Sequence, residues 1–329
     1  MTAQNIPLRL RASAVNKSLN SFFASSAPLR LTIVFFLCVL CAFAVKSLIM
    51  QIEFTKMHGI GNDFVVIDAI NQDIALTGEQ VRLIADRHFG VGCDQLLLVE
   101  RPTRDDAEFR YRIYNADGGE VQQCGNGARC FARFVHDRGM TGNTRIAVET
   151  AAGMIYLVLE DDGQVTVDMG VPSFDPNRLP FEADANDEEQ AEYHQLVVNG
   201  EKYAIGAVSV GNPHAVLLVE SVDKAPVETL GAAIESHERF PERVNVGFME
   251  VMDRSHIRLR VFERGAGETL ACGTGACAAV AVGIHNSLLD NAVQVELKGG
   301  YLTIRWPGND NTMLMTGPAQ TVYQGKITL

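Results

Sequence analysis

Hydrophobic and polar positions along the chain fall into distinct patterns. Residues 31–45, LTIVFFLCVLCAFAV, form an uncharged run of 15 residues between Arg30 and Lys46. Further on, Arg110–Tyr114 and Ile257–Phe262 alternate polar and apolar residues, the period of a half-buried strand. Helical spacing shows in TGEQVRLIADRHFG from Thr77, where Val81, Ile84, Ala85 and His88 share a face. Thr77 with Gln80 makes a capping box at its start, and Gly90 is a stop signal. VETLGAAIESHERF from Val227 places Val227, Leu230, Gly231 and Ile234 on one face. Two more helical stretches, RCFARFVHDRG and CAAVAVGIHNS, each follow a Cys-Gly-x-Gly-Ala sequence. The acidic stretch ADANDEEQAE at 183–192 lacks any periodicity and reads as a solvated loop.

These elements occur twice in the same order. At an offset of 148, RYRIYNADGGEVQQCGNGA (110–128) matches RLRVFERGAGETLACGTGA (258–276) at 8 of 19 positions, the cysteine and both following glycines included. At an offset of 150, Gly61-Asn62 falls on Gly211-Asn212, and Gln95 falls on Asn245. A long unit repeated once indicates paired lobes and not a solenoid. The pattern predicts an α+β protein of two pseudo-symmetric lobes, each a curved, mainly antiparallel sheet around the helix that follows its cysteine. Residues 50–170 form the first lobe and 171–329 the second, with the boundary at Gly170-Val171-Pro172. Residues 1–49 lie outside both.

The duplicated cysteine motif carries the chemistry. Gly125 and Gly127 let a ligand approach the backbone, and the helix behind them points free N–H groups toward Cys124. Such a terminus binds a carboxylate and favours thiolate, with a pKa as low as about 3.5 to 7.5. A single Cys-Gly-x-Gly is weak evidence, since a scattered cysteine is ordinarily a small buried apolar residue. Two copies in related halves bring Cys124 and Cys272 to opposite sides of one cleft. One then removes a proton beside a carboxylate and the other returns a proton to the opposite face. That inverts a stereocentre and demands no cofactor and no metal. No phosphate-binding loop or dinucleotide fingerprint is present in a strand–helix context.

Charge narrows the partners. The chain has 28 basic and 40 acidic side chains, and residues 1–49 carry five of the basic ones and no acid. The remainder stands at −17, which repels nucleic acid. Of the seven cysteines (Cys38, Cys41, Cys93, Cys124, Cys130, Cys272 and Cys277) only Cys38 and Cys41 stand at C-x-x-C spacing, inside the apolar run, and the set forms no disulfide framework. Cys93, Cys130 and Cys277 read as packing residues. The apolar run 31–45 is shorter than the roughly 20 residues of a membrane helix. It better suits a signal-peptide core, an anchor, a dispensable extension or an early start codon, with Met50 a natural first residue. Reduced thiols favour the cytoplasm, so membrane contact is expected only if that segment is retained.

The segments MHGIGNDFVVIDA (57–69), GVGCDQLLLVE (90–100), YNADGGEVQQCGNGARC (114–130), GNPHAV (211–216), NVGF (245–248) and ERGAGETLACGTGA (263–276) closely resemble the diaminopimelate epimerase family. The resemblance runs from about Met50 to the C-terminus. It implies interconversion of LL- and meso-diaminopimelate, a step toward lysine and cell-wall peptide, with Cys124 and Cys272 acting on opposite faces. By the same resemblance, the backbone of Gly125-Asn126 and Gly273-Thr274 holds the reacting carboxylate. Asn62, Gln95, Asn115, Asn212, Asn245, Glu263 and Arg264 bind the remaining polar groups, and His214 and Glu263 support proton transfer. Arg264 suits a distant carboxylate. The family further implies a homodimer with Tyr323 as a contact, and a last strand that returns to the first lobe. Three alternatives are a proline-type racemase, a non-catalytic amino-acid binding protein and a Cys–His hydrolase using His214. The first leaves Arg264 without a partner, the second makes facing cysteines a liability, and the third leaves the duplication unexplained.

Overall fold

The computed structural model of the chain describes residues 50–122, 124–182 and 193–329. The apolar run 31–45, Cys38, Cys41 and the acidic stretch 183–192 lie outside the described residues. The first half runs β1 (Gln51–Gly59), β2 (Asn62–Asp68), α1 (Gly78–Ala85), β3 (Gln95–Glu100), β4 (Phe109–Asn115), β5 (Glu120–Val121), α2 (Gly125–Asp137), β6 (Arg145–Thr150), β7 (Gly153–Leu159) and β8 (Val165–Asp168). After a short 3-10 turn (Pro176–Arg178) and β9 (His194–Val198), the second half repeats the series. It runs β10 (Glu201–Ser209), β11 (Pro213–Leu218), α3 (Val227–Glu235), β12 (Asn245–Asp253), β13 (His256–Glu263), β14 (Gly267–Thr269) and α4 (Gly273–His285). β15 (Ala292–Leu297), β16 (Gly300–Arg305), β17 (Leu314–Gly317) and β18 (Gln320–Thr328) complete it.

Strand pairing repeats as faithfully as element order. β1–β2 is antiparallel, β2–β3 parallel, β3–β4 antiparallel and β4–β6 parallel. β10–β11, β11–β12, β12–β13 and β13–β15 have the same directions in the same order. Antiparallel pairs β6–β7–β8 and β15–β16–β17 finish each sheet. β8 and β17 pair antiparallel with each other and join the two sheets. β9 pairs with β10, and β18 with β1. Burial alternates along β4 and β13, as the polar–apolar pattern requires.

The two cysteine-headed helices fill the sheets. Every residue of α4 from Gly275 to Gly283 is buried, which accounts for its almost unbroken apolar sequence. One core surrounds both α2 and α4, with Phe64, Tyr111, Phe131, Val280 and Met315 among its members. A second core lies where Val227 and Ile234 of α3 meet Leu196, Ile205 and Phe248. Ile52–Ile327 form one compact unit, and the site lies within it.

One helix differs from the sequence reading. α1 starts at the Thr77–Gln80 capping box but ends at Ala85. Asp86 takes extended backbone, and its carboxylate accepts from the His88 and Phe89 amides at 2.7 and 2.8 Å, turning the chain outward. His88 is therefore exposed and shares no face with Val81. Gly90 folds back against the helix end, where a side chain would collide with the carbonyls of Leu83 and Ile84.

Candidate active site

Cys124 is the N-cap of α2 and Cys272 the N-cap of α4, both with extended backbone. The Cys272 sulfur accepts from the Gly275 amide at 3.4 Å and lies 3.6 Å from Thr274 Oγ1. Cys124 Sγ makes no capping bond and lies 3.8 Å from Asn62 Oδ1. The two helix starts abut one side chain, Met315 of β17. A Cβ on Gly125 would fall 2.7 Å from Met315 Cε, and one on Gly273 would fall 3.0 Å from Met315 Sδ and 3.2 Å from Asn126 Oδ1. Glycine is required at both positions because the two termini converge there.

A chain of amides links the cysteine loops. Asn126 Nδ2 donates to Asn62 Oδ1 at 3.2 Å and to the carbonyl of Ala271, next to Cys272, at 3.3 Å. Asn62 Nδ2 donates to Asp94 at 2.9 Å, and Asp94 and Asp63 share Arg87 at 2.7 Å. On the other side, Asn212 Nδ2 donates to Thr274 Oγ1 at 3.4 Å, while its Oδ1 lies 3.0 Å from His214 Nε2. His214 and Asn245 are direct partners in the parallel β11–β12 ladder. Asn245 Nδ2 donates to Pro213 at 3.1 Å, and its oxygen receives the Arg264 amide at 3.0 Å. Thr269 Oγ1 donates to Glu263, and Glu263 also hydrogen-bonds Cys272.

Cys124, Cys272, Asn62, Asn126, Glu263, Asn212, Thr274, His214 and Asn245 thus fall into one connected neighbourhood. Gln95 and Asn115 face each other across β3–β4, with Gln95 Nε2 donating to Asn115 Oδ1 at 2.8 Å. The Arg264 guanidinium is exposed and donates to the Glu242 carbonyl at 2.9 Å. Tyr323 lies on exposed β18, where its ring meets Phe54 edge-on at 5.9 Å. Arg129, Thr269 and Asp94 hold site residues and were not singled out from the sequence. For Arg129 a signal existed: a lone cation three residues after Asn126, among Ala128, Cys130 and Phe131 on the inner face of α2.

Burial decides the electrostatics. The sequence reading expected a lowered thiol pKa at each helix terminus. Instead burial pushes Cys124 up, against the Gly127 amide, and pushes Cys272 up much further, aided by the neighbouring Glu263. Desolvation outweighs the helix termini because both sulfurs sit among apolar side chains. Burial likewise raises Glu263, opposed by its bonds to Thr269 and Cys272. Burial, then the positive Arg264, lowers His214 to about 3, so its ring is neutral. Cys93 is pushed up to about 11 by burial, and Cys130 and Cys277 to about 12, as inert packing thiols are. Among the described residues, no cluster of His, Cys, Asp and Glu has metal-binding geometry.

Two repeat-related halves, each with a cysteine at the head of its central helix, define a duplicated α+β architecture. The same fold recurs in a hydroxyproline epimerase from Agrobacterium vitis, at TM-score 0.61 and 18% identity over 85% of this chain and 93% of that one. It recurs also in a phenazine biosynthesis protein of the PhzF family from Bacillus anthracis, at TM-score 0.59 and 18% identity over 84% and 99%. The chain belongs to the diaminopimelate epimerase family, whose sequence profile matches residues 54–174 and 206–322. It is 63% identical over 278 residues to the diaminopimelate epimerase of Aromatoleum aromaticum, covering 84% of this chain and 99% of that protein. It is 59% identical over 280 residues to that of Nitrosomonas europaea, covering 85% and 100%. The protein is therefore an isomerase.

Proposed function

We propose that the protein interconverts LL- and meso-diaminopimelate by transferring protons between one α-carbon and two cysteines. The observation that carries this reading is the meeting of two repeat-related, cysteine-capped helix N-termini at Met315, tied together through Asn126. A carboxylate placed between them accepts from the amides behind Gly125-Asn126 and Gly273-Thr274, where negative charge develops in the planar transition state. One cysteine, as thiolate, takes the α-proton. The other, as thiol, gives its proton to the opposite face. The pair ends with protonation exchanged, and Glu263 and neutral His214 return it to the starting state by relaying one proton through solvent.

Asn62, Gln95, Asn115, Asn212, Asn245, Glu263 and Arg264 would fix the polar ends of the substrate. The distant carboxylate would take Arg264 from the Glu242 carbonyl it now meets. The high identity to named diaminopimelate epimerases and the presence of Arg264 favour this substrate over proline. Residues 50–170 and 171–329 would constitute the two lobes and carry the whole activity without residues 1–49. No helix among the described residues is long and apolar enough to cross a membrane. A cytoplasmic location suits the free thiols, and a homodimer through β18 and Tyr323 suits the exposure of that strand.

The test is turnover of LL-diaminopimelate by the reduced protein with no added cofactor, followed by chiral chromatography. Formation of the meso isomer by wild type, and its loss in both Cys124→Ala and Cys272→Ala, is the expected result. A single-cysteine variant with wild-type turnover would refute the two-base scheme.

A further inference from the structure

Arg129 is fully buried, the largest side chain of the fold so enclosed. Burying a guanidinium is expensive unless an anion accompanies it, yet among the described residues the ionisable groups that bear on Arg129 are the thiols Cys130, Cys124 and Cys277 and no carboxylate. Its donors are spent on neutral acceptors: Asn126 Oδ1 at 3.0 Å, the Pro318 carbonyl at 3.2 Å and Met315 Sδ at 3.5 Å. The chain makes room for it with glycines. A Cβ on Gly59 would lie 3.0 Å from one of its terminal nitrogens, and one on Gly317 would lie 3.3 Å from Nε.

Two consequences follow from donor and acceptor chemistry. A guanidinium only donates, so the Asn126 oxygen must face Arg129 and its NH2 must face Asn62 and Ala271. Arg129 thereby fixes which way the amide that bridges the cysteine loops is turned. The second consequence is charge. At the offset of 148 that relates α2 to α4, Arg129 corresponds to neutral Cys277, while Glu263 beside Cys272 corresponds to neutral Asn115. The duplicated site is thus asymmetric, with a buried cation behind Cys124 and a half-buried carboxyl beside Cys272.

Resting on the reading that the two cysteines are the acid–base pair, we propose that Arg129 is a positioning residue of the reaction. It orients Asn126 and places the negative charge on Cys124 in preference to Cys272, so that Cys124 starts as base and Cys272 as acid. The groups that bear on the Cys124 sulfur are the Gly127 amide of α2, Glu263 from β13, which opposes ionisation, the Asn126 amide and Arg129, with Asn62 Oδ1 at 3.8 Å. Tyr111 of β4, whose hydroxyl donates to the Cys124 carbonyl at 3.3 Å, and Cys130 stand nearby. Among these Arg129 is the one cation.

The experiment is a thiolate titration by ultraviolet absorbance on the full-length reduced protein. The difference between wild type and Cys124→Ala isolates Cys124, and the difference between wild type and Cys272→Ala isolates Cys272. The proposal expects the Cys124 midpoint to lie at least about one pH unit below that of Cys272; the reverse order overturns it without any change at Arg129. On the Arg129→Met background, the Cys124 midpoint should rise by about one unit or more, with a loss of kcat. Arg129→Lys keeps the charge but not the fork, so it should keep the midpoint and lower kcat about tenfold at near-constant KM. A folded Arg129→Met protein with the wild-type midpoint would refute the charge role, and an Arg129→Lys protein with wild-type kcat would refute the orienting role. These titrations read the thiols alone. An isomerase shown to need neither cysteine would instead defeat the two-cysteine reading while leaving the charge order measurable.

Discussion

Asn126 has one carbonyl and one NH2, and both are committed: the oxygen to Arg129 and the nitrogen to Asn62 and the Ala271 carbonyl. Asn126→Ala leaves a buried guanidinium short of an acceptor and unties the two cysteine loops. Turnover should fall about 10²-fold in kcat/KM, in line with roughly 2–3 kcal/mol for losing bonds to a buried charged group. Thr269→Val removes the donor to Glu263, and should push that carboxyl further up and cost about tenfold in kcat with little change in KM. Cys130→Ala, by contrast, should leave kcat unchanged, because that thiol is held protonated in the core. Steady-state kinetics on the three variants separates these outcomes. The cysteine pair, Asn62, Asn212 and His214 were legible in the sequence because each sits in a duplicated or compact motif. Arg129 and Thr269 were not, because their contacts are made in space: Arg129 reaches β17 and Pro318, some 190 residues on.

At the scale of elements, the duplication made the plan readable. It fixed two sheets, two cysteine-capped helices and the alternation of β4 and β13, since burial imposes a period that composition preserves. It misplaced the end of α1, where Asp86 caps the following turn and overrides the apolar spacing that continues to His88. It also could not show that β8 and β17 pair across the two sheets, because that seam is made of short strands far apart in sequence. The close approach of α4 to β10 is a second contact invisible to periodicity. A methyl on Gly206 would run into Val282 of α4. Gly206→Ala should therefore lower stability by about 1–3 kcal/mol through overpacking, read as a lower denaturation midpoint. An unchanged midpoint would mean that α4 sits further from the sheet.

For the whole molecule, pH dependence of stability tests the burial of His214. Its folded pKa is depressed to about 3 from the ordinary 6.5, so the fold holds it neutral. Its contribution is complete above pH 6.5 and is lost as pH falls toward 3, at up to about 1.4 kcal/mol per pH unit. Urea unfolding at pH 7, 5 and 4 should show a shallower decline for His214→Gln than for wild type. Parallel declines would mean the histidine is reached by solvent. Residues 50–329 alone should retain full turnover, because the matched relatives correspond end to end to about this length of chain.

The central claim is that two different groups act on the two faces of one carbon, and deuterium oxide tests it most directly. LL-diaminopimelate is converted by the reduced enzyme to a few per cent, and both isomers are recovered and analysed by proton NMR. With two bases, the meso product carries deuterium at the inverted carbon while the recovered LL pool keeps its α-proton. Protium retained in the product, or deuterium spread equally through both pools, would mean that a single group serves both faces.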